Sequence, residues 1–374
     1  MTFSPSAPAR VGIVGTGNIF DRYVKGMARF PRLSLTGCAD LDHARAVKAA
    51  AEHGIAAYDS VEALLADPDV DIVVNITPPV AHAAVTTQAI RAGKHVYVEK
   101  PVAATVAEAE PLTALAQERG VRYGSAPDTF LGSAAQTARA ALDDGAIGTP
   151  VGATAFVTHS RAETWHPDPT FLFAPGGGPG LDLGPYYLTH LVNLLGPIAT
   201  VSGLSRIGAP VRTVTSPGRT VESIEVTTPT HAAAVLGFTS GVIGSLQMSF
   251  DVWNHHLPFI EVYGTEGTLS LPDPNGFDGD VRVRRNLDAE WTTLPPVLPP
   301  SGPLDMEVQM LRGSGVDDLA GAVDGAPHRA SAALAFHVLE ALEAVERSST
   351  TRQVVELSST VGRPAPMHSE GATA

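Results

Sequence analysis

The strongest constraint on the fold is an alternation of short apolar runs with longer helical segments in the first third of the chain. Apolar runs at 10–14, 33–39, 71–76, 95–98 and 121–124 are typical of strands, and capped helical patterns separate them. Strands that alternate with helices in this way form βαβ units and a parallel sheet. We therefore predict an α/β fold that begins with a doubly wound, Rossmann-like domain over residues 9–128.

The pattern changes in the remaining two thirds. Helical segments at 133–144 and 184–195 are followed by short β-rich runs between 230 and 285, with turn residues between them. This arrangement predicts a second α/β domain over 129–357 with a large, mostly antiparallel sheet. An amphipathic helix is predicted over 331–347, and residues 358–374 are predicted to be a disordered tail.

Composition excludes several classes of protein. The net charge of −14 argues against a nucleic-acid surface, which needs a basic patch. Cys38 is the single cysteine, so neither an internal disulfide nor a cysteine-rich zinc site can form. Residues 1–10 lack an apolar signal core, and no run approaches the roughly 18 apolar residues of a membrane span. We expect a cytoplasmic protein without a membrane partner, a nucleic-acid partner or a metal site.

A glycine loop follows the first predicted strand. Gly15 and Gly17 lie between that strand and a helix, which is the context of a dinucleotide-binding fingerprint. The first glycine permits the tight turn, and the second lets backbone N–H groups approach a pyrophosphate. Phe20 occupies the position where a third small residue is expected, so an ordinary glycine turn remains the alternative.

Asp40 ends the second predicted strand. A carboxylate at this place accepts hydrogen bonds from the ribose hydroxyls of an adenosine and repels a 2′-phosphate. No arginine follows it directly, which favours NAD over NADP. The alternative, an N-cap of the next helix, suits Asp42 better than Asp40.

A Glu99-Lys100-Pro101 turn follows the strand predicted at 95–98. Ligands of doubly wound sheets bind outside the carboxyl ends of the strands, so Lys100 is expected at the cofactor crevice. The alternative is a solvated lysine before a turn-forming proline.

In the second domain, Asp182, Tyr186 and His190 follow one another at intervals of four residues, after a glycine-rich segment. Tyr186 and His190 would share one face of a helix that begins near Gly184. A catalytic group is one interpretation, and a capping Asp182 with two packing residues is the other. A tyrosine phenol is mostly protonated at neutral pH, and a nearby ammonium group such as that of Lys100 stabilises the phenolate.

Other polar residues are candidates for substrate binding. Asp128 follows the last strand of the first domain and either binds a sugar hydroxyl or caps a turn. Arg161, Trp165 and His166 lie in one loop, where an aromatic face beside polar groups suits a sugar, although an exposed loop has a similar composition. His255 has no partner at metal-ligand spacing.

Several segments together resemble the Gfo/Idh/MocA oxidoreductase family. They are 11–19, Asp40, 77–82, 92–101, 176–178, 182–184 and the late helix at 334–345. The resemblance implies a Rossmann domain joined to a second α/β domain whose open sheet face forms a homodimer or homotetramer. It also implies that the late helix packs near the first domain and that the bond before Pro101 is cis. The residues implied to bind the cofactor are Gly15, Gly17, Asn18, Ile19, Asp40, Thr77, Pro78, His82, Glu99 and Lys100.

The family also implies an activity. It implies NAD-dependent oxidation or reduction of a secondary hydroxyl or ketone on a sugar, cyclitol or glycoside, with Lys100 as the catalytic lysine. The common family pattern of Asp, His and Asp corresponds here to Asp182, Tyr186 and Thr189. This departure leaves the acid/base open between Tyr186 and His190, while Asp182 and His190 are expected to position the substrate. Two other functions remain open, an NAD-dependent redox-assisted glycoside hydrolase or lyase and a non-catalytic NAD(P)-binding sensor.

Overall fold

The structure is a computed structural model that describes residues 7–160, 162–322 and 327–367. Its strands are β1 (Ala9–Val14), β2 (Leu33–Ala39), β3 (Ala56–Ala57), β4 (Ile72–Asn75), β5 (His95–Val98), β6 (Tyr123–Ser125), β7 (Pro150–Thr158), β8 (Ile198–Arg206), β9 (Val211–Thr213), β10 (Ser223–Glu225), β11 (His231–Phe238), β12 (Ile243–Ser249), β13 (Ile260–Gly264), β14 (Gly267–Leu271), β15 (Arg282–Arg285), β16 (Thr292–Thr293) and β17 (Val355–Glu356). Its α-helices are α1 (Phe20–Met27), α2 (His43–His53), α3 (Val61–Ala66), α4 (Pro79–Arg91), α5 (Val106–Arg119), α6 (Ser133–Asp143), α7 (Ala162–Trp165), α8 (Gly178–Asp182), α9 (Gly184–Leu195), α10 (Met306–Gln309), α11 (Ser314–Gly321) and α12 (Ala332–Thr351).

The first six strands form one parallel sheet in the order β3-β2-β1-β4-β5-β6. This is the strand order of the Rossmann fold. The central strands are covered on both faces, so Val11, Ile72 and Val96 are fully buried and their sequences are continuously apolar. The predicted doubly wound parallel sheet is confirmed.

Local capping signals set the helix ends in this sheet domain. The side chain of Asp42 accepts a hydrogen bond from Ala44 N at the start of α2, and Thr105 does the same from Glu108 N at α5. Gly54 and Gly120 end these two helices in the left-handed conformation, which glycine adopts without a Cβ clash.

A nine-stranded sheet dominates the second unit, in the order β16-β15-β14-β13-β7-β12-β11-β8-β17. Only the β7–β12 pair is parallel among its described neighbours. Burial alternates along β11 and β12, so one face is covered and the other is exposed. The large, mostly antiparallel sheet is confirmed. Every residue of α9 is buried.

The chain divides into two compact units that are each discontinuous in sequence. The first contains 1–128 and 306–336, and the second contains 129–305 and 337–374. Within the first unit, Asp318 accepts hydrogen bonds from the backbone N–H groups of Arg329 and Ala330. Gly124 of β6 also forms a β-bridge with Ser331. Residues 329–331, which directly precede α12, therefore lie beside β6, the last strand of the first sheet.

The prediction of a disordered tail is wrong for residues 358–367. The carboxylate of Glu340 accepts hydrogen bonds from the N–H groups of Ser358 and Ser359, and Arg139 donates to the carbonyl of Pro364. Met367 N also donates to the side chain of Gln136. The polar composition of this segment does not show these partners, because they lie elsewhere in the sequence. Residues 368–374 lie outside the described part of the chain.

Among the described residues, no helix is long and apolar enough to cross a membrane. Within the same residues, no group of three or more His, Cys, Asp or Glu side chains has the proximity that a metal ion needs.

Candidate functional site

Four predicted site residues follow the carboxyl ends of four adjacent strands. Gly15 follows β1, Asp40 follows β2, Thr77 comes shortly after β4, and Lys100 comes shortly after β5. These strands are neighbours in the order β2-β1-β4-β5, so the four residues lie along one edge of the sheet. Open α/β sheets bind their ligands at this edge.

The glycine loop shows two different uses of glycine. Gly15 has a φ of +102°, and a Cβ at this position would lie 2.9 Å from the carbonyl oxygen of Ile76. A Cβ on Gly17 would have its nearest neighbour, the guanidinium of Arg45, at 3.9 Å. Gly15 is therefore required by the protein's own packing, whereas the space beside Gly17 is open. Asn18 is exposed, and the half-buried Ile19 is the N-cap residue of α1.

Phe20 has a local role that explains the departure from the glycine fingerprint. It is the first residue of α1, is buried, and packs edge-on against His53 of α2 at a ring distance of 5.7 Å. The third small residue of a fingerprint allows close helix–strand packing. Here the position instead contributes to helix–helix packing.

Asp40 is oriented towards the glycine loop. Its Oδ2 accepts from Thr16 N at 2.7 Å and from Thr16 Oγ1 at 2.8 Å, and its Oδ1 accepts from Asp42 N at 3.0 Å. Burial raises the pKa of Asp40, but these hydrogen bonds and the nearby Arg45 more than offset it, so the pKa lies below its usual value. Asp40 is therefore ionised at neutral pH.

Arg45 is a residue that the sequence analysis missed. It lies on α2, and its guanidinium donates to the carbonyl of Thr16 at 3.3 Å. This places a positive charge beside both the glycine loop and Asp40. The signal in the sequence was weak, because one arginine in the first turn of a helix is common.

Thr77 is held by a second missed residue, Asn75. The Oδ1 of Asn75 accepts from the backbone N–H of Thr77 at 3.2 Å and from its hydroxyl at 2.7 Å. The Nδ2 of Asn75 donates to His82 O and Thr86 Oγ1, both at 3.1 Å. Asn75 is fully buried at the end of an apolar strand, and a polar residue in such a run is the signal that could have identified it. Pro78, the exposed N-cap residue of α4, follows Thr77.

Glu99 is buried and fixes the start of the Lys100 turn. Its Oε1 accepts from the hydroxyl of Tyr23 at 2.9 Å, and its Oε2 accepts from the backbone N–H of Lys100 at 2.7 Å. Glu99 N donates to Asn75 O, which ties this turn to the end of β4. Lys100 is half-buried, and the Lys100–Pro101 bond is cis, as the family resemblance implied. Both Glu99 oxygens are thus engaged by protein groups.

Asp128 is fully buried in the first unit. Its Oδ2 accepts from the N–H groups of Gly313 at 3.1 Å and Gly315 at 3.0 Å, at the start of α11. Burial raises the pKa of Asp128, opposed by Arg312 and these two N–H groups. This geometry favours the capping interpretation, with a helix that lies far away in the sequence.

The second-unit candidates lie on two consecutive helices. Asp182 ends the short helix α8, so the N-cap position of α9 is occupied by Leu183 and not by Asp182. Tyr186 and His190 are buried on α9. His190 Nδ1 lies 2.8 Å from the carbonyl of Tyr186, so Nδ1 carries the proton. Burial lowers the pKa of His190 to about 4, which makes it a neutral imidazole at neutral pH.

The loop candidates form an aromatic cluster on the surface of the second unit. Trp165 is 56% exposed and meets His166 edge-on at 5.5 Å, and His166 meets the exposed Phe171 at 5.3 Å. The His166 ring accepts from Asp168 N at 3.1 Å, which fixes the turn. Arg161 lies outside the described residues.

A further group of titratable residues was missed in this unit. Desolvation raises the pKa of Asp273, opposed by the N–H of Asn275 and by His159. Burial and the charge of Asp273 raise the pKa of Tyr187, the neighbour of Tyr186. Asp273 follows β14 in a Pro-Asp-Pro-Asn turn, which by itself indicates only a turn.

The first-unit edge fits a dinucleotide on two structural grounds. The open space at Gly17 leaves room for a pyrophosphate beside the N-terminus of α1. The ionised Asp40 accepts three hydrogen bonds from the protein, and a carboxylate offers about four acceptor sites, so capacity remains for a ribose hydroxyl. The strand order, the glycine loop and this carboxylate define a nucleotide-binding domain of the Rossmann class.

Comparison with known families agrees with this class. Residues 9–126 match the model of an oxidoreductase family with an NAD-binding Rossmann fold, and residues 135–270 match the GFO/IDH/MocA C-terminal domain. The chain therefore belongs to the Gfo/Idh/MocA oxidoreductase family, as its sequence motifs indicated.

Two relatives are named as reductases of sugars, and two solved structures share the fold. The chain is 32% identical over 293 residues to a dTDP-3,4-didehydro-2,6-dideoxy-alpha-D-glucose 3-reductase of Streptomyces violaceoruber, covering 76% of this chain and 80% of that protein. It is 32% identical over 266 residues to a 1,5-anhydro-D-fructose reductase of Ensifer adhaerens, covering 70% and 74%. An NAD binding oxidoreductase from Klebsiella pneumoniae superposes with a TM-score of 0.82 at 27% identity, covering 94% of this chain and 99% of that one. A levoglucosan dehydrogenase complex with NADH and levoglucosan has a TM-score of 0.79 at 18% identity, covering 94% and 100%, which shows a shared fold.

Proposed function

We propose that the protein transfers hydride between NAD and a secondary hydroxyl or ketone of a sugar, cyclitol or glycoside. The observation that carries the proposal is the edge of the parallel sheet, where Gly15, Asp40, Thr77 and Lys100 follow four adjacent strands. The two relatives at 32% identity are sugar reductases by name, which supports the substrate class.

In this proposal Lys100 of the first unit and Tyr186 of the second carry the proton chemistry. The Lys100 ammonium donates a hydrogen bond to the reacting oxygen and polarises it. The Tyr186 hydroxyl gives the proton when a ketone is reduced, and the Tyr186 phenolate takes it when an alcohol is oxidised. Glu99 fixes the backbone of Lys100 through the bond to its N–H. When bound, the nicotinamide supplies the hydride chemistry, while the protein orients and polarises the substrate.

His190 is the weaker of the two acid/base candidates. A base works best when its pKa lies near the operating pH, and burial lowers the pKa of His190 to about 4. A neutral imidazole that donates from Nδ1 to the Tyr186 carbonyl keeps a lone pair on Nε2. We assign His190 and Asp182 to positioning the substrate and Tyr186 to proton transfer. Trp165 and His166 are proposed to form part of the substrate wall.

The catalytic role of Lys100 is tested by Lys100→Ala. The variant should lower turnover by about 10²–10³-fold, since the hydrogen bond that polarises the reacting oxygen is removed, while NADH binding measured by fluorescence persists. Lys48→Ala is the matched control, because Lys48 is a surface lysine of the same unit. Turnover that is equal in the two variants would refute the role of Lys100.

The preference for NAD is proposed from Asp40, whose negative charge opposes a 2′-phosphate. Asp40→Ser should raise the dissociation constant of NAD. It should also lower the ratio of the NADP dissociation constant to the NAD dissociation constant by about tenfold or more. In Asp40→Ser, the guanidinium of Arg45 should attract a 2′-phosphate and so raise the affinity for NADP. The double variant Asp40→Ser/Arg45→Ala should lose this gain in NADP affinity. A ratio that is unmoved by Asp40→Ser would show that the carboxylate only organises the glycine loop.

The substrate class is tested by NADH formation, with NADP in parallel, across monosaccharides, inositols and glycosides. Epimers that differ in reactivity would identify the reacting hydroxyl. Cleaved glycoside without net NADH would instead support redox-assisted hydrolysis. Nucleotide binding without any turnover in either assay, together with an Lys100→Ala variant that binds normally, would support a sensor.

We also propose that a second copy of the chain covers the exposed face of the nine-stranded sheet. The neighbouring strands β8, β11 and β12 expose Leu204, Val235 and Ile243 on this face, and exposed apolar surface of this kind marks interaction sites. Light scattering should give a dimer or tetramer, and Val235→Glu should reduce the mass. A monomeric wild type would refute this assembly.

A further inference from the structure

His82 makes two contacts that a neutral histidine cannot make together. It lies near the start of α4 and is 1% exposed. Its Nδ1 is 2.7 Å from the carbonyl oxygen of Pro101, and its Nε2 is 2.7 Å from the carbonyl oxygen of Thr77. A carbonyl oxygen only accepts hydrogen bonds, so each contact requires an N–H on the ring.

The protonation state follows from this pair of acceptors. A neutral imidazole carries one N–H, so the second contact would set two lone pairs against each other at hydrogen-bond distance. We propose that His82 is an imidazolium that donates from both nitrogens and thereby ties the loop after β4 to the Lys100–Pro101 turn after β5. His82 is then a positioning residue, because neither nitrogen remains available to a ligand.

Two charged residues near His82, Glu99 and Lys100, lie in the turn after β5 that includes Pro101. Burial is the largest effect and holds the pKa of His82 below its usual value, although the carbonyls of Pro101 and Thr77 and the carboxylate of Glu99 raise it; the ammonium of Lys100 lowers it further. The proposed charge therefore rests on the geometry, because two carbonyl acceptors at 2.7 Å require an N–H on each ring nitrogen. Glu99 is itself buried and supplies the opposite charge. Loss of the proton would remove one of the two donors and release either Thr77 or Pro101 from the ring.

The two hydrogen bonds of His82 hold Thr77, at the proposed cofactor edge, and Pro101, which is adjacent to Lys100. Thr77 is also held by Asn75, and Asn75 Nδ2 donates to the backbone carbonyl of His82, so the helix start and the loop are held together. Pro101 directly follows Lys100. Displacement of a catalytic group by about 1 Å can cost about a hundredfold in rate. This link to catalysis rests on the proposed role of Lys100, whereas the protonation state does not.

The protonation state can be measured directly by NMR. In the full-length protein labelled with ¹⁵N-histidine, the His82 ring should show two protonated nitrogens with slowly exchanging N–H groups at neutral pH. The His82 signals would be assigned by their loss in His82→Gln, with His255→Gln as the control, since His255 is exposed. A single ring N–H from about pH 6 to about pH 8 would overturn the proposal.

The positioning role needs a second readout. His82→Phe removes both donors at similar ring size and should weaken NADH binding about tenfold, and His82→Gln should recover part of the loss because its amide nitrogen carries two N–H groups. Equal NADH affinity in wild type and His82→Phe would overturn the positioning role. Because neither measurement uses turnover, a failure of the Lys100→Ala test would refute the proposed reaction without changing these outcomes.

Discussion

Replacing Gly15 with alanine should destabilise the protein before any ligand binds. The backbone at Gly15 has a φ of +102°, and such a conformation costs a non-glycine residue about 1–3 kcal/mol. The new Cβ would also lie 2.9 Å from Ile76 O and 3.1 Å from Thr77 N, both backbone atoms that cannot rotate away. Overpacking of this kind costs about 1–3 kcal/mol. The expected loss in free energy of unfolding is therefore about 2–6 kcal/mol.

Gly17→Ala is the matched substitution two residues away. Its Cβ would meet nothing closer than the flexible guanidinium of Arg45 at 3.9 Å, so the free energy of unfolding should stay within about 0.5 kcal/mol of wild type. If the open space receives a pyrophosphate, the added methyl group occupies it. NADH affinity should then fall at least about tenfold, which corresponds to about 1.4 kcal/mol.

Urea unfolding of the ligand-free variants and fluorescence titration with NADH separate the two effects. We expect Gly15→Ala to lose stability and Gly17→Ala to lose NADH affinity at unchanged stability. Two results would refute it. One is a Gly15→Ala protein as stable as wild type, and the other is a Gly17→Ala protein that binds NADH as tightly as wild type.

Two further predictions concern buried titratable groups. His190 has a folded pKa of about 4, below its ordinary value of 6.5, so the unfolded chain binds the proton more tightly. Stability should fall by up to about 3 kcal/mol as the pH drops from about 6.5 to about 4, and urea titrations of wild type and His190→Asn at several pH values should show a smaller fall in the variant. Asp128→Ala leaves two buried N–H groups without their acceptor and should cost about 2–5 kcal/mol, whereas Asp128→Asn keeps an acceptor oxygen and should cost less. Equal unfolding midpoints for the two Asp128 variants would contradict the capping role.

Local signals predicted the elements of the first unit closely. The strands Leu33–Ala39 and His95–Val98 begin and end where the apolar runs do, and glycines at 54 and 120 end the two capped helices α2 and α5. These features depend on residues within one or two turns of each other. At the start of α3, Ser60 and not the adjacent Asp59 accepts the hydrogen bond from Ala63 N. Competing Asp and Ser residues at a helix start cannot be separated without the backbone.

Features that depend on distant partners were missed or misplaced. The short helix α8 has only five residues with three Gly or Pro among them, so its sequence indicates a loop. The polar tail at 358–367 is ordered because Glu340 and Arg139 lie beside it in the fold. Arg45 and Asn75 likewise gain their roles only from Thr16 and Thr77, which their own surroundings in the sequence do not reveal.

The sequence by itself determined the class of the first domain and the residues along its binding edge. Parallel strands in this alternation bring their carboxyl ends to one side, so Gly15, Asp40 and Lys100 could be placed there from the pattern alone. Only the tertiary structure decided what each side chain does at that edge. The acceptors of His82 follow two different strands, and the hydrogen-bond donors to Asp128 lie at positions 313 and 315. Protonation, burial and hydrogen bonding depend on such neighbours, and the chain brings them together only when it is folded.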